Sequence, residues 1–418
     1  MDRKTKALCS FIESSPTAYH AVDHLRKELE AAGYTALSEA EVWTLAPGGK
    51  YYLIRGGSSL VAFRVPQNAR GFRIAACHSD HPCLKVKENL CVSDTYTRLS
   101  VEPYGGLIMS SWLDRPLSLA GRVFVETEQG MESRLINLDR DLALIPSVAI
   151  HMNREVNNGY KWNPAVDLLP LTGGKDAGKK LEKALEEAAG GKILGKDLFL
   201  YLRQEARVWG MAEEFLSAPA LDDLGCAWTA ARGLIHAEAG DTIGVFCLFD
   251  AEEVGSASAQ GADSTLLSQT LQRICAGLNL DENRMLANSF LLSADNAHGI
   301  HPNHPEYSDA ANAPVLGGGI VLKFNANLSY TTDGYSAAVV RKLCQAARIP
   351  VQNYHNRADL RGGSTLGHIA WGHVSVPAAD IGLAQLAMHS CYETVAVSDV
   401  ADMEKLMKTY FAAEIGRK

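Results

Sequence analysis

The apolar run Ile243 to Phe249 stops abruptly in Asp250-Ala251-Glu252-Glu253. A continuous apolar run of that length reads as a strand buried in a parallel sheet, delivering its acids to the carboxyl edge where open α/β folds build their sites. Two adjacent carboxylates point different ways, so one can ligate a metal while its neighbour handles protons. Alone, an acid pair after a strand is ordinarily a solvated loop. Partners elsewhere in the chain decide.

Four other stations supply them. His78-Ser79-Asp80 ends an apolar run, and an imidazole there with a carboxylate two residues on has the form of a ligand and the acid that orients it. Asp222 and Asp223 open a helix whose apolar face is Leu221, Leu224, Trp228, Ala231 and Ile235; acids there complement the helix dipole, or bridge two cations. Asp295 follows the apolar run Asn288 to Ser293, and His389 precedes the last helix. Nitrogen and oxygen donors without thiolates suit zinc, or manganese and cobalt. Two histidines and three carboxylates, one of them bridging, would hold two metals about 3.5–4 Å apart and leave Glu252 free, while the proton of an attacking water would pass through a carboxylate to a leaving amine.

The elements that must position these groups follow in order. Residues 1 to 33 read as two helices, the second opened by Ser15-Pro16-Thr17 and stopped by Gly33. His20 and His24 lie one helical turn apart there but lack a third ligand, so they read as ordinary helix residues. Strand-like runs follow at Tyr51 to Arg55, Ser59 to Val65 and Phe72 to Cys77. From Lys85 to about Arg207 the texture changes to short strands and turns around an exposed helical segment, Lys179 to Ala188, which reads as an inserted domain. Ala149 to Asn153, centred on His151, reads as a buried stretch within it. Later, Ile320 to Phe324 is a strand carrying Lys323, followed by Tyr330 and a helix from Tyr335 to Ala347. The glycines Gly317 to Gly319 lead into a strand with no Gly-Lys-Ser/Thr, which excludes a phosphate-binding loop.

Composition bounds the function. At 418 residues, with 47% hydrophobic and 21% charged residues, the chain is an ordinary globular protein large enough for more than one domain. A net charge of -8 with scattered basic residues gives no electrostatic reason to expect nucleic acid or an anionic membrane as a partner. The nine cysteines include no Cys-x-x-Cys pair, which fits a reducing cytoplasm rather than a disulfide framework. Neither a signal peptide nor a membrane-spanning run is expected.

Taken together, the motifs resemble those of the M18 metallo-aminopeptidases, the aspartyl aminopeptidase family. The matching stretches are His78-Ser-Asp-His-Pro-Cys-Leu-Lys-Val-Lys87, Tyr104-Gly-Gly, Trp112-Leu-Asp-Arg115, Leu221-Asp-Asp-Leu224, Phe249-Asp-Ala-Glu-Glu-Val-Gly-Ser256, Ser293-Ala-Asp-Asn-Ala-His298 and Met388-His389-Ser390. They run in family order over nearly the whole chain. The resemblance implies an α/β fold with a mixed-sheet catalytic domain sandwiched by helices, residues 1–84 and 208–418, interrupted by a β-rich dimerisation or lid domain at 85–207. It implies two zinc ions, one held by His78 and Asp295, the other by Glu253 and His389, with Asp222 bridging. Glu252 would be the general base and Asp80 the acid orienting His78. His298, Lys323 and Tyr330 match substrate contacts, with Lys323 a cation for an acidic side chain, and His151 matches a histidine offered to a neighbouring subunit. The implied substrates are short peptides with an acidic N-terminal residue, and the implied assembly is a tetrahedral homododecamer. His81, Pro116, Asp223 and Ala251 depart from the family pattern or fill variable places in it, and His81 and Asp223 bear on substrate preference. Two rivals share these features: another co-catalytic metal amidohydrolase, such as an M42-like aminopeptidase or a deacylase, and an oligomeric assembly or cargo protein with little turnover.

Overall fold

Phe72–His78 and Ile243–Phe249 are buried along their whole length and lie side by side in parallel, with Phe249 opposite His78. Strands this apolar need cover on both faces, and they get it. In the computed structural model, which describes residues 2–360 and 362–415, they lie within a nine-stranded mixed sheet. Its order is Thr35–Ala36, Lys50–Arg55, Ser59–Arg64, Ile243–Phe249, Phe72–His78, Phe290–Ala294, Ala378–Gly382, Ile320–Phe324 and Val351–His355. Side chains alternate between the faces with the period of two that a strand imposes. Ala75, Cys77, Phe246 and Leu248 join Trp228, Leu234, Met403 and Tyr410 on one side. Ile74, Ala76, Val245 and Cys247 join Leu266, Leu271 and Ile274 on the other.

The helices Leu221–His236 and Val397–Ala412 pack closely on the first face. A Cβ at Gly233 would stand 2.4 Å from the Cβ of Met407, so only glycine permits this approach. A smaller five-stranded sheet, Arg207–Trp209, Phe215–Ala218, Glu393–Ala396, Ala384–Leu386 and Ala297–His298, lies in the same unit.

A second compact unit comprises His81–Glu205 and His389–Tyr392, and the first comprises the chain up to Asp80, Ala206–Met388 and the chain from Glu393 on. The boundaries expected at 84 and 207 therefore fall at 80 and 205, and four residues beginning with His389 join the second unit. That unit is an antiparallel six-stranded sheet, in order Gly130–Asn137, Leu117–Thr127, Ile193–Leu202, Cys83–Ser93, Tyr96–Tyr104 and Leu171–Gly174. The helix expected at 179–188 spans Ala177–Ala189 and is not exposed all round, because Leu181, Leu185 and Ala189 recur every four residues and face the core. Ala149 to Asn153 corrects another expectation. Instead of a buried stretch it is a turn in which Ile150 is 47% and Met152 82% exposed. Among the described residues no helix is long and apolar enough to cross a membrane, and all nine cysteines are free thiols.

Candidate metal centre

Three neighbouring parallel strands end at one edge, and the residues there are the ones with ligand chemistry. His78 closes its strand, Asp250 follows Phe249, and Asp295 follows Ala294. Register sets them level. Phe249 opposes His78 and Ser293 opposes Ala76, so two further residues along each strand bring Asp295 beside His78. Asp222 arrives from the helix Leu221–His236, whose first turn leaves helical geometry at Asp222 and Asp223, with a cis peptide between them.

His78, Asp222 and Asp295 are all buried. Nε2 of His78 lies 3.5 Å from Asp222 Oδ1 and 3.9 Å from Asp295 Oδ1. A tetrahedral zinc about 2.0–2.1 Å from each donor spaces the donors about 3.3–3.4 Å apart, so these three stand near ligating distance. His78, Glu252 and Glu253 likewise each bring a donor atom within 4.8 Å of the others. Nδ1 of His78 lies 3.0 Å from the Asp80 carbonyl oxygen; donating there, it leaves the lone pair on Nε2, facing the two aspartates.

The ligand-bearing segments hold one another through side chains adjacent in sequence. Asp80 accepts the N–H groups of Glu252 and Glu253 on its two carboxylate oxygens, each at 3.1 Å. Its carboxylate is 3.5 Å from His78 Nδ1, farther than its carbonyl. The Asp80 carboxylate thus fixes the acid turn, and its main chain is the nearer partner of the imidazole. Asp223 Oδ2 accepts the His78 N–H at 3.2 Å, Glu393 Oε2 accepts the Asp222 N–H at 2.9 Å, and Asn296 Nδ2 donates to the Leu221 carbonyl at 2.9 Å.

Lys323, expected to meet an acidic side chain, is fully buried. Its Nζ donates to the carbonyls of Asp295 and Asn296 at 2.8 and 3.0 Å and lies 3.4 Å from Asp295 Oδ2. Tyr330 is buried too, with its ring 5.2 Å from Lys323 Nζ. His298 is exposed and lines a cavity of about 290 Å³ with His301, Tyr354, His355 and Arg357; neither Lys323 nor Tyr330 lines it. In the second unit, His151 stands in the exposed turn, and His389 has its Nδ1 3.1 Å from the Gly106 carbonyl, which favours the same tautomer as His78.

Crowded carboxylates resist ionisation in low dielectric. Burial pushes Glu252 up to about 8, with His78 pulling it down and Asp295, Asp80 and Asp222 pushing it further up. Burial raises Glu253 well above the ordinary range, Asp222 adding to it, and holds Asp295 near about 6 against the pull of Lys323. Asp250, absent from the expected site residues, is raised to about 6 by burial and by Asp80. Such a cluster is neutralised by protons or by a cation. The donors, one imidazole and several carboxylates around Asp222, fit zinc.

A pH dependence follows. With metal chelated away, the folded chain holds protons on Asp295 and Glu252 that an unfolded carboxyl, with its pKa near about 4, has lost. The unfolded state therefore binds fewer protons across that window. The stability contribution is complete below about pH 4 and is lost as pH rises through about 6 to 8. The melting temperature of chelated protein is expected to fall between about pH 5 and pH 8, and zinc to restore it most at the upper end. A flat profile in chelator would contradict the buried-carboxylate picture.

Glu393, Asn296 and Asp380 also escaped the sequence reading. Each is a buried polar residue beside an apolar run, and only the partner segments, distant in sequence, give it a task.

Residues 11–411 match the family model described as aminopeptidase I zinc metalloprotease (M18). A Clostridium novyi protein named probable M18 family aminopeptidase 2 is 40% identical over 421 residues, covering 97% of each chain. A Pseudomonas aeruginosa protein of the same name is 39% identical over 421 residues, covering 98% of each. Among solved structures, the fold superposes on the matched chain in the Ape4 and Nbr1 complex with TM-score 0.94 and 34% identity, over 98% of this chain and 85% of that one. It superposes on the S. cerevisiae mApe1 dodecamer chain with TM-score 0.86 and 28% identity, over 98% and 96%. Together with the histidine and carboxylates gathered at the sheet edge, these matches show that the chain belongs to the M18 family of zinc metallo-aminopeptidases.

Proposed function

We propose that the chain removes one N-terminal residue, preferentially Asp or Glu, from short peptides at a pair of zinc ions. His78 and Asp295 would hold one ion, and Glu253 the other together with His389, the imidazole that the family resemblance assigns to it; Asp222 would serve both. The observation that carries this reading is the convergence of buried His78, Asp222 and Asp295 beside a half-buried Glu252-Glu253 turn. Bound zinc would supply an acidified water and polarise the scissile carbonyl.

The protein's own groups do the rest. Glu252, clamped through its N–H by Asp80, takes the proton of the attacking water and returns it to the leaving amine. Lys323 holds Oδ2 of Asp295 and leaves Oδ1 directed at the metal side. The acidic preference then rests on the cavity lined by His298, His301 and His355, whose ring N–H groups match a carboxylate, beside an Arg357 already paired with Asp359 and the Glu306 carbonyl.

Assembly as a homododecamer is supported by the dodecameric yeast relative. The exposed Val148, Ile150 and Met152 around His151 would then be covered by a neighbouring subunit. Nine free thiols suit a reducing cytoplasm.

A panel of Asp-, Glu-, Leu- and Lys-terminated peptides, free and N-acetylated, tests the reaction and its preference together. Free acidic termini are expected to be cleaved fastest, by about tenfold or more in kcat/KM over Leu and Lys. Cleavage of the acetylated series alone would identify a deacylase-type enzyme and sink this reading.

A further inference from the structure

Asp380 is a carboxylate with no exposed surface in the strand Ala378–Gly382, between Ser293 on one neighbouring strand and Lys323 on the other. A buried carboxylate is costly unless donors surround it. Its donors come from two separate segments. Oδ2 accepts the Thr331 N–H at 2.5 Å and the Thr331 hydroxyl at 2.7 Å; Oδ1 accepts the Thr365 hydroxyl at 2.5 Å. The Asp380 N–H in turn donates to Thr332 Oγ1 at 2.9 Å. The residues that follow Tyr330 are therefore fastened to the sheet by one side chain and its own main chain.

Tyr330 passes that constraint outward. Its ring packs edge-on against Tyr354 with centroids 6.2 Å apart, and Tyr354 packs edge-on against His298 at 6.1 Å. Tyr354 and His298 both line the 290 Å³ cavity. Thr365, by contrast, opens the helix Leu366–His373 and touches none of these rings through any bond to Asp380.

We propose that Asp380 is a positioning residue for substrate recognition: through Thr331 it fixes the Tyr330 segment, and through Tyr330 and Tyr354 it sets the wall that His298 presents to the substrate side chain. This rests on the reading that the cavity receives that side chain. Replacing Asp380 itself leaves three buried donors without their acceptor, so the test removes single donors instead.

Zinc-loaded Thr331→Val and Thr365→Val are compared with the unaltered protein for kcat, KM on an acidic-terminated peptide, melting temperature and zinc content. Each removes one buried hydroxyl from the same carboxylate, so both are expected to melt at a similarly lower temperature. Only Thr331→Val is expected to raise KM, by about tenfold, with kcat within about twofold and zinc unchanged. Equal KM shifts in the two variants, or no shift in Thr331→Val, overturn the proposal. His298→Gln, measured alongside, separates the causes. If it shifts KM while Thr331→Val does not, only the role of Asp380 falls; if neither shifts it, the cavity is not the substrate site.

Discussion

Asp222→Asn is expected to yield a folded chain that has lost at least about 100-fold in zinc affinity and hydrolyses peptides no faster than background. Asn keeps the size of the side chain and the main-chain N–H that Glu393 accepts, so the first turn of its helix has no steric reason to move. What it removes is the charge facing His78 Nε2 at 3.5 Å, in the position proposed to serve both ions. Removing one buried carboxylate also relieves Glu253, whose proton affinity Asp222 raises. The apo variant should therefore melt no lower than apo protein at pH 8, while zinc raises its melting temperature far less. Unchanged zinc content with unchanged hydrolysis would remove Asp222 from the centre.

Glu252→Gln is expected to lower kcat by about 10²- to 10⁴-fold, the range a positioned proton carrier supplies. Zinc content should stay the same, because the Asp80 clamp binds the main-chain N–H groups, which Gln retains. With metal chelated away, stability near pH 8 should hold or rise, since the ionised form of a group pushed up to about 8 by burial is the costly one. The combination of retained metal, retained fold and lost turnover is the signature of a lost proton carrier. A fold defect would lower all three together.

Much of this was legible in the sequence because the chemistry sits where strands end. An apolar run followed by an acid or histidine marks the carboxyl edge of a parallel sheet, and Phe72 to His78, Ile243 to Glu253 and Phe290 to Asp295 all carry that mark. The strand Ala378–Gly382 carries it weakly: it is short, rich in Ala and Gly, and holds its acid in mid-strand, so Asp380 left no pattern to read. Long-range clamps were invisible for a different reason. Nothing local in Glu393 or Asn296 announces that its partners are the Asp222 N–H and the Leu221 carbonyl. Lys323 shows the limit most clearly. A lysine in an apolar strand reads as a cation for a ligand, yet its donors are taken by the Asp295-Asn296 main chain and the Asp295 carboxylate. Likewise the apolar letters of Ala149 to Asn153 suggested burial, which a short turn on the unit's surface does not provide.

The central claim is a division of labour within one dipeptide, Glu253 holding metal and Glu252 moving the proton. Zinc per chain and peptide hydrolysis, measured on the same samples of Glu252→Gln and Glu253→Gln beside the unaltered protein, test it most directly. The account predicts full zinc with hydrolysis lost for Glu252→Gln, and depleted zinc for Glu253→Gln with activity partly recovered by excess zinc. Zinc lost equally from both variants, or hydrolysis retained in Glu252→Gln, would contradict it.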